Sequence, residues 1–206
     1  MASQLSSEDL GRLSQHLHGG GTVVAAFDLP TPLTRLYPLA EELQTALAGA
    51  QQEELSAQLQ ASLAQEYRAV QANLAEQVAL AFQPLHRLAT ILGYPIQGQG
   101  KVDADHPLRR QPFLFGAWPV IDGFPLQVRA TGGLVGVLGP LAAAWTVDDD
   151  LQRSRETLRT AQEFGINLLH YAQHRRHLSR LQSADPGTVP PTQPGIDSLQ
   201  NRLPGE

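Results

Sequence analysis

The sequence predicts an α+β fold, in which an antiparallel sheet of about four or five strands is flanked by long amphipathic helices. Three observations predict it. Asp122-Gly123 stands between two apolar runs and is a preferred pair for a two-residue hairpin turn. Apolar and polar residues alternate over 124–129, as in a strand with one buried face. Apolar residues recur every three or four positions over 55–88, which is the pattern of a long helix.

The first quarter of the chain predicts a helix, a strand and a second helix. Ser6 or Ser7 caps a short leucine-bearing helix, which stops at the glycines of 19–21. Residues 22–29 then have the composition of a strand. Pro38 suits the first turn of the next helix.

A long helical segment is predicted over 38–92, because the apolar stripe continues through its second half for more than thirty residues. Pro84 lies within the stripe and predicts a kink or a division there, since proline removes a backbone hydrogen bond. Residues 1–183 are predicted to form one α+β domain. Residues 184–206 are rich in Pro and Gly and are predicted to be a disordered tail.

The sheet is predicted mainly from the middle of the chain. Residues 113–121 are predicted to form a buried strand, and 124–129 a strand with one solvated face. Thr131-Gly132-Gly133 predicts a second turn, and 134–138 another buried strand. Together these segments predict an antiparallel meander.

The last long helix has a marked beginning and end. Thr146-Val147-Asp148-Asp149 has the spacing of a capping box, with Asp in place of Glu or Gln. Arginines cluster in the last turns, where cations complement the helix dipole. The apolar residues that recur along this helix are Leu151, Leu158, Ala161, Leu168 and Ala172.

A family resemblance rests on these closing elements. Phe124-Pro-Leu-Gln-Val, Gly133-Leu-Val-Gly-Val-Leu-Gly and Thr146-Val-Asp-Asp-Asp-Leu, followed by a long helix, resemble the closing part of a GAF domain. The same strands are more weakly similar to the end of the GlcG-like haem-binding family. The resemblance covers less than a third of the chain. It implies a GAF/profilin-like antiparallel sheet and a small-molecule-binding or sensory role.

The amino-acid composition of the chain excludes several classes of function. The chain has 206 residues, a net charge of −5 and no cysteine. The absence of cysteine excludes disulfides, thiolate catalysis and Cys-ligated zinc, and the net negative charge makes general nucleic-acid binding unlikely. The N-terminus has neither the basic nor the apolar part of a signal peptide, and no segment is suited to a membrane span. We therefore predict a cytoplasmic protein.

The candidate ligand-binding residues are two aromatic and two basic side chains near the predicted sheet: Arg110, Phe115, Trp118 and Arg129. The aromatic rings could line a pocket while an arginine faces an anionic ligand, or they could simply pack the core. No nucleophile elbow, phosphate-binding loop or dinucleotide fingerprint is present, so no catalytic residue, enzymatic activity or cofactor is predicted.

Two small groups of polar residues are candidates for a metal site. His170 and His174 share one helical face, but Arg175 and Arg176 beside them would repel a cation. The Asp and His residues of 103–106 resemble an ordinary polar loop. No metal site is predicted.

The function predicted from the sequence is a non-catalytic sensory or regulatory module that binds a small molecule or a protein partner. Long amphipathic helices often bury one face on a partner, so we expect a homodimer that signals through its helices. One alternative is an assembly protein that forms oligomers through the same helices. Another is a DNA-binding accessory protein that uses Arg175, Arg176 and Arg180.

Overall fold

The computed structural model describes residues 5–54, 56–98, 100–146 and 153–183. Seven helices and five strands are formed within these ranges. In chain order they are α1 (Ser7–His18), β1 (Val23–Phe27), α2 (Thr31–Gln52), α3 (Ala57–Ala81), α4 (Gln83–Ile91), α5 (Pro107–Arg110), β2 (Val120–Ile121), β3 (Phe124–Pro125), β4 (Gln127–Thr131), β5 (Leu134–Leu138), α6 (Leu141–Ala144) and α7 (Arg155–Ser183).

The main sheet is mixed and has three strands, in the order β1-β5-β4. β4 and β5 are antiparallel, whereas β1 lies parallel to β5 with Val23 opposite Leu134. The mixture of helix and sheet agrees with the α+β prediction, but the antiparallel, GAF/profilin-like sheet of four or five strands is wrong. The reason is that β1 comes from the N-terminal part of the chain. The long connection from β1 to β5, which includes α2 to α4, is what parallel neighbours require.

The strand predicted over 113–121 is also wrong for most of its length. Only Val120–Ile121 forms a strand, which pairs with Phe124–Pro125 in a separate two-stranded hairpin. The chain before it is irregular, and the Phe115 amide donates to the Arg109 carbonyl at 2.7 Å. Pro112 and Pro119 each lack the backbone donor that a regular ladder would need.

Both predicted turns are confirmed. Asp122 and Gly123 have φ angles of 51° and 80°, as the two central residues of a type I′ turn require. Gly132 and Gly133, with φ of 51° and 88°, connect β4 to β5 in the same way. The β5 strand that follows is buried throughout.

The sheet is the middle layer of three. On one face of β5, Leu134 and Leu138 belong to an apolar cluster with Phe82 and Leu85 at the junction of α3 and α4. On the other face, Val135 and Val137 belong to a cluster with side chains of α7. Because helices cover both faces, β5 consists of consecutive apolar residues, as in a fully buried strand.

The helices of the N-terminal half follow the predicted order. At the start of α1, the Ser6 hydroxyl and the Asp9 carboxylate form a capping box, which confirms a serine cap. α2 begins at Thr31, ahead of the predicted start at Pro38, because Pro32 suits a first turn and Leu33 is drawn into the core. The predicted division beside Pro84 is confirmed, since α3 ends at Ala81 and α4 begins at Gln83.

α2 and α3 form a helical hairpin that is longer than the strands of the sheet. At 1.5 Å per residue α3 is about 37 Å long, whereas a five-residue strand spans about 17 Å. Ala40 and Val70 still pack against the cluster beneath the sheet. Farther out, the buried Leu43 and Ala50 belong to neither apolar cluster of the body. The outer part of the hairpin is therefore held mainly by contacts between its own helices.

α7 begins at Arg155, and the Ser154 hydroxyl accepts a hydrogen bond from the Thr157 amide at 3.0 Å. The capping box predicted from Thr146 involves residues 147–149, which lie outside the described residues, as do Leu151 and the predicted tail of 184–206. Ala161 and Leu168 are buried, as their spacing predicts. No helix in the described ranges has both the length and the apolar character to cross a membrane.

Candidate functional site

A cavity of about 670 Å³ lies between the α3–α4 junction and the open edge of the sheet at β4. Its volume is within the range of pockets that hold small organic molecules. One wall is α3, over 71–80, and a second comes from α4 with His86 and Arg87. The sheet contributes Gln127 and Arg129, and the loop before α5 contributes Lys101.

The lining combines an apolar surface with polar and charged groups. Leu74, Val78 and Phe82 are buried and give the helical side of the cavity its apolar surface. Glutamine side chains add neutral hydrogen-bonding groups. The cationic residues of the lining are Lys101, Arg87 and Arg129, whereas its acidic residue is Glu76, exposed on α3. Apolar surface beside a few polar groups is typical of small-molecule sites.

Arg129 is the most buried charged residue of the lining, with 7% of its surface exposed. Its guanidinium lies 5.2 Å from the centre of the Phe82 ring. In the described part of the chain it forms no ion pair or side-chain hydrogen bond, and burial lowers its pKa. Alternation along β4 explains its position: Val128 faces α7, so Arg129 faces the cavity.

Lys101 lies directly across from Arg129. The two residues form an isolated antiparallel bridge, and the Ala130 amide donates to the Gly100 carbonyl at 3.3 Å. Side chains that are directly opposite in an antiparallel pair share one face. Both residues therefore contribute to the cavity lining from the same edge of the sheet.

His86 and Tyr37 report on the electrostatic surroundings of the cavity. Burial lowers the pKa of His86, and the positive charge of Arg129 lowers it further. Burial raises the pKa of Tyr37, which a hydrogen bond with Gln127 partly offsets. At neutral pH both side chains are uncharged, so the positive charge of the cavity comes from its arginines and lysine.

The four ligand-binding residues predicted from the sequence are not brought together. Arg129 lines the cavity, but Phe115 and Trp118 lie on the other face of the sheet, with ring centres 6.0 Å and 5.8 Å from that of Phe164. Arg110 is exposed and forms an ion pair with Asp105. The two aromatic residues thus take the core-packing role that the sequence left open.

The remaining cavity residues were not singled out by the sequence. Phe82 was one member of a long apolar stripe, and Lys101 was one polar residue of a loop. The available signal was Arg129 itself: a charge placed two residues after Gln127 in a strand whose other face is apolar. Nothing in the sequence indicates that α3, α4 and Lys101 surround it.

The polar residues that the sequence suggested as metal ligands or as a DNA-binding surface lie outside the cavity lining. In the described ranges, no three side chains from His, Cys, Asp and Glu converge as metal ligands do. The His106 ring accepts a hydrogen bond from the Leu108 amide at 3.2 Å and caps α5. Arg175 donates to the Gly132 carbonyl at 3.1 Å and thereby supports the β4–β5 turn, whereas Arg176 is exposed.

Fold and site together define an α+β protein with a cavity of ligand size where a helical hairpin meets the edge of a mixed sheet. Comparison of the chain with protein-family models, with curated protein sequences and with solved structures finds no match.

Proposed function

We propose that this protein is a non-catalytic regulatory module that binds a small molecule in the cavity and transmits its presence through the α2–α3 hairpin. One observation carries the proposal: the helix that forms a wall of the cavity continues beyond the body of the protein. Residues 71–80 of α3 line the cavity, while 57–70 of the same helix lead outward along α2. A cytoplasmic location is part of this proposal.

The α3–α4 junction supports the transmission step. Phe82 lies in the cavity wall and separates the two helices, and Pro84 follows it. A ligand that contacts both sides of this junction changes the balance between its conformations only by binding one of them better. Displacement of α3 at the junction would be carried along a continuous helix to the outer part of the hairpin.

The receiver is proposed to be a second copy of the chain or a protein partner that packs on the hairpin. The outer hairpin exposes apolar surface, including Leu59, that its own two helices leave uncovered. A homodimer formed through these helices combines the sensory hypothesis with the assembly hypothesis. In that case ligand binding would change the strength or the geometry of the dimer.

The binding step is tested by filling the cavity. Ala79 lines the cavity on an exposed face of α3, so Ala79→Trp adds bulk there without entering the core. The matched control is Ala72→Trp, an exposed position of the same helix that is not part of the lining. We expect ligand-observed NMR with a library of small charged and neutral compounds to give hits for the parent and for Ala72→Trp, and to lose them in Ala79→Trp.

Two outcomes would contradict the binding step: a library without a single hit for the parent, or hits that bind Ala79→Trp as well as the parent. The transmission step has its own readout. Hydrogen exchange is expected to change over residues 57–70 when a hit is bound, although no residue of that range lines the cavity. A change confined to the lining residues would disprove transmission and leave binding intact.

A further inference from the structure

Arg129 has 7% of its surface exposed, and its guanidinium nitrogens reach the cavity without an ion pair or side-chain hydrogen bond in the described part of the chain. Charges in a protein interior are nearly always paired, because the desolvation of an unpaired charge is unfavourable. The Phe82 ring beside Arg129 compensates only part of this desolvation. The guanidinium therefore presents unpaired donors to the cavity, where an anion would pair with them.

Lys101 adds to the positive charge of the cavity lining. It lies opposite Arg129 in the antiparallel bridge, so both residues line the same cavity. Glu76 also lines the cavity but forms no ion pair with either cation. Packing alone would be satisfied by an uncharged side chain of similar length, such as methionine.

We propose that the ligand of this cavity is an organic anion, with a carboxylate or phosphate head and an apolar body. The head is held by Arg129 and Lys101, and the body lies on Phe82, Leu74 and Val78. This inference rests on the proposed function, because it names the chemical class of the molecule that the cavity binds.

The arrangement suits such a molecule in two respects. A guanidinium presents parallel N–H donors that match the two oxygens of a carboxylate or phosphate, and these charge-assisted bonds are the stronger ones in proteins. Lys101 is exposed at the mouth of the cavity, where its flexible ammonium can follow the head group. The apolar surface of α3 and α4 begins beside Arg129, since Phe82 contacts its guanidinium.

The test uses three probes of nearly the same shape. 2-Naphthoate carries a carboxylate and 2-naphthyl phosphate a phosphate, whereas 2-naphthamide is neutral. Isothermal titration at moderate salt is expected to show binding of at least one charged probe, and weaker or undetectable binding of the amide. The two charged probes distinguish a carboxylate ligand from a phosphate ligand. Inorganic phosphate alone shows how much affinity the head contributes without a body.

The key variant is Arg129→Met, which keeps an unbranched side chain against Phe82 and removes the charge. We expect it to weaken binding of the charged probe by roughly ten- to hundredfold, as the loss of a charged hydrogen-bonding pair does. Lys101→Met should weaken it less, because Lys101 is exposed. The matched control is Arg110→Met, an arginine outside the cavity that pairs with Asp105, and it should bind the probe as the parent does.

A second measurement separates binding from folding. Without ligand, Arg129→Met should have a melting temperature at least equal to that of the parent, because it removes an unpaired buried charge. Addition of the charged probe should raise the melting temperature of the parent and leave that of Arg129→Met nearly unchanged. A strongly destabilised Arg129→Met would mean that the arginine serves the fold, and would overturn the inference.

The outcomes also separate this inference from the proposed function. If 2-naphthamide binds as tightly as the charged probes, or if Arg129→Met binds 2-naphthoate like the parent, the ligand is not recognised by its charge. The cavity would remain a binding site as long as Ala79→Trp abolishes that binding. If none of the three probes binds, the inference of an amphipathic anion is wrong, while the library screen decides the proposed function by itself.

Discussion

Asn167 joins α7 to the irregular chain that leads into the β2–β3 hairpin. It is fully buried, and its amide nitrogen donates to the carbonyls of Leu108 and Phe113 at 3.0 Å and 2.8 Å. Its side-chain oxygen accepts from the Phe113 amide at 2.9 Å. One side chain thus forms hydrogen bonds with three backbone groups that have no partner within a strand or helix. This explains how residues 113–119 stay ordered without forming the predicted strand.

Asn167→Ala is expected to lower the free energy of unfolding by about 3 kcal/mol, since it leaves buried backbone groups unpaired. The matched control, Gln173→Ala, changes an exposed position of the same helix and should stay within about 0.5 kcal/mol of the parent. Urea denaturation followed by circular dichroism measures both. A loss below about 1 kcal/mol for Asn167→Ala would show that water replaces the side chain easily.

Arg129 marks the limit of sequence reasoning at the residue scale. It is a candidate as a basic residue near the predicted sheet that could face an anionic ligand, and it lines the cavity. Phe115 and Trp118 lie instead on the other face of the sheet, and Arg110 is exposed and paired with Asp105. Which face of the sheet carries the cavity depends on the helices that cover it, and a strand pattern alone does not contain that information.

At the scale of secondary-structure elements, β5 packs closely against the α3–α4 junction. A Cβ atom built on Gly136 would lie 2.4 Å from a terminal methyl carbon of Leu85 and 3.1 Å from the Phe82 ring. Both neighbours are fully buried, so a Cβ atom at this position would have to displace core side chains. The glycine therefore permits the close approach of α4 to the sheet.

Gly136→Ala is expected to destabilise the fold by about 1–3 kcal/mol, as overpacking in a filled core does. Gly116→Ala is the matched control, because a Cβ atom there has no neighbour within 4 Å. Thermal unfolding of the two variants gives the comparison. Equal stability of Gly136→Ala and the parent would mean that α4 shifts readily away from β5. In that case the cavity lining at Phe82 would be adaptable as well.

At the scale of the whole molecule, stability is unevenly distributed. β5 has both faces covered and a hydrogen-bonded strand on each side. Residues 44–54 and 56–68, which we call the hairpin tip, are held chiefly by the packing of α2 on α3. Segments with few buried apolar contacts open locally at lower free energy than the core. The hairpin tip is therefore expected to open locally more readily than β5.

Native-state hydrogen exchange of the ligand-free protein at low concentration should show this difference directly. We expect amides of β5 to exchange only through global unfolding, and amides of the hairpin tip to exchange at least about tenfold faster. Raising the protein concentration should slow exchange in the tip if a second copy packs there. Uniform protection of tip and sheet at low concentration would contradict a hairpin stabilised mainly by its own two helices.

The sequence by itself determined the features that depend on neighbouring residues. The capped α1, the turns at 122–123 and 132–133, the division beside Pro84 and the buried face of α7 follow from short-range sterics, hydrogen bonds and periodicity. Only the tertiary structure decided that β1 lies parallel to β5 and that α3, α4, Lys101 and Arg129 enclose one cavity. Those contacts join residues far apart in the chain, and they form because the apolar side chains on both faces of β5 are removed from water when helices cover them.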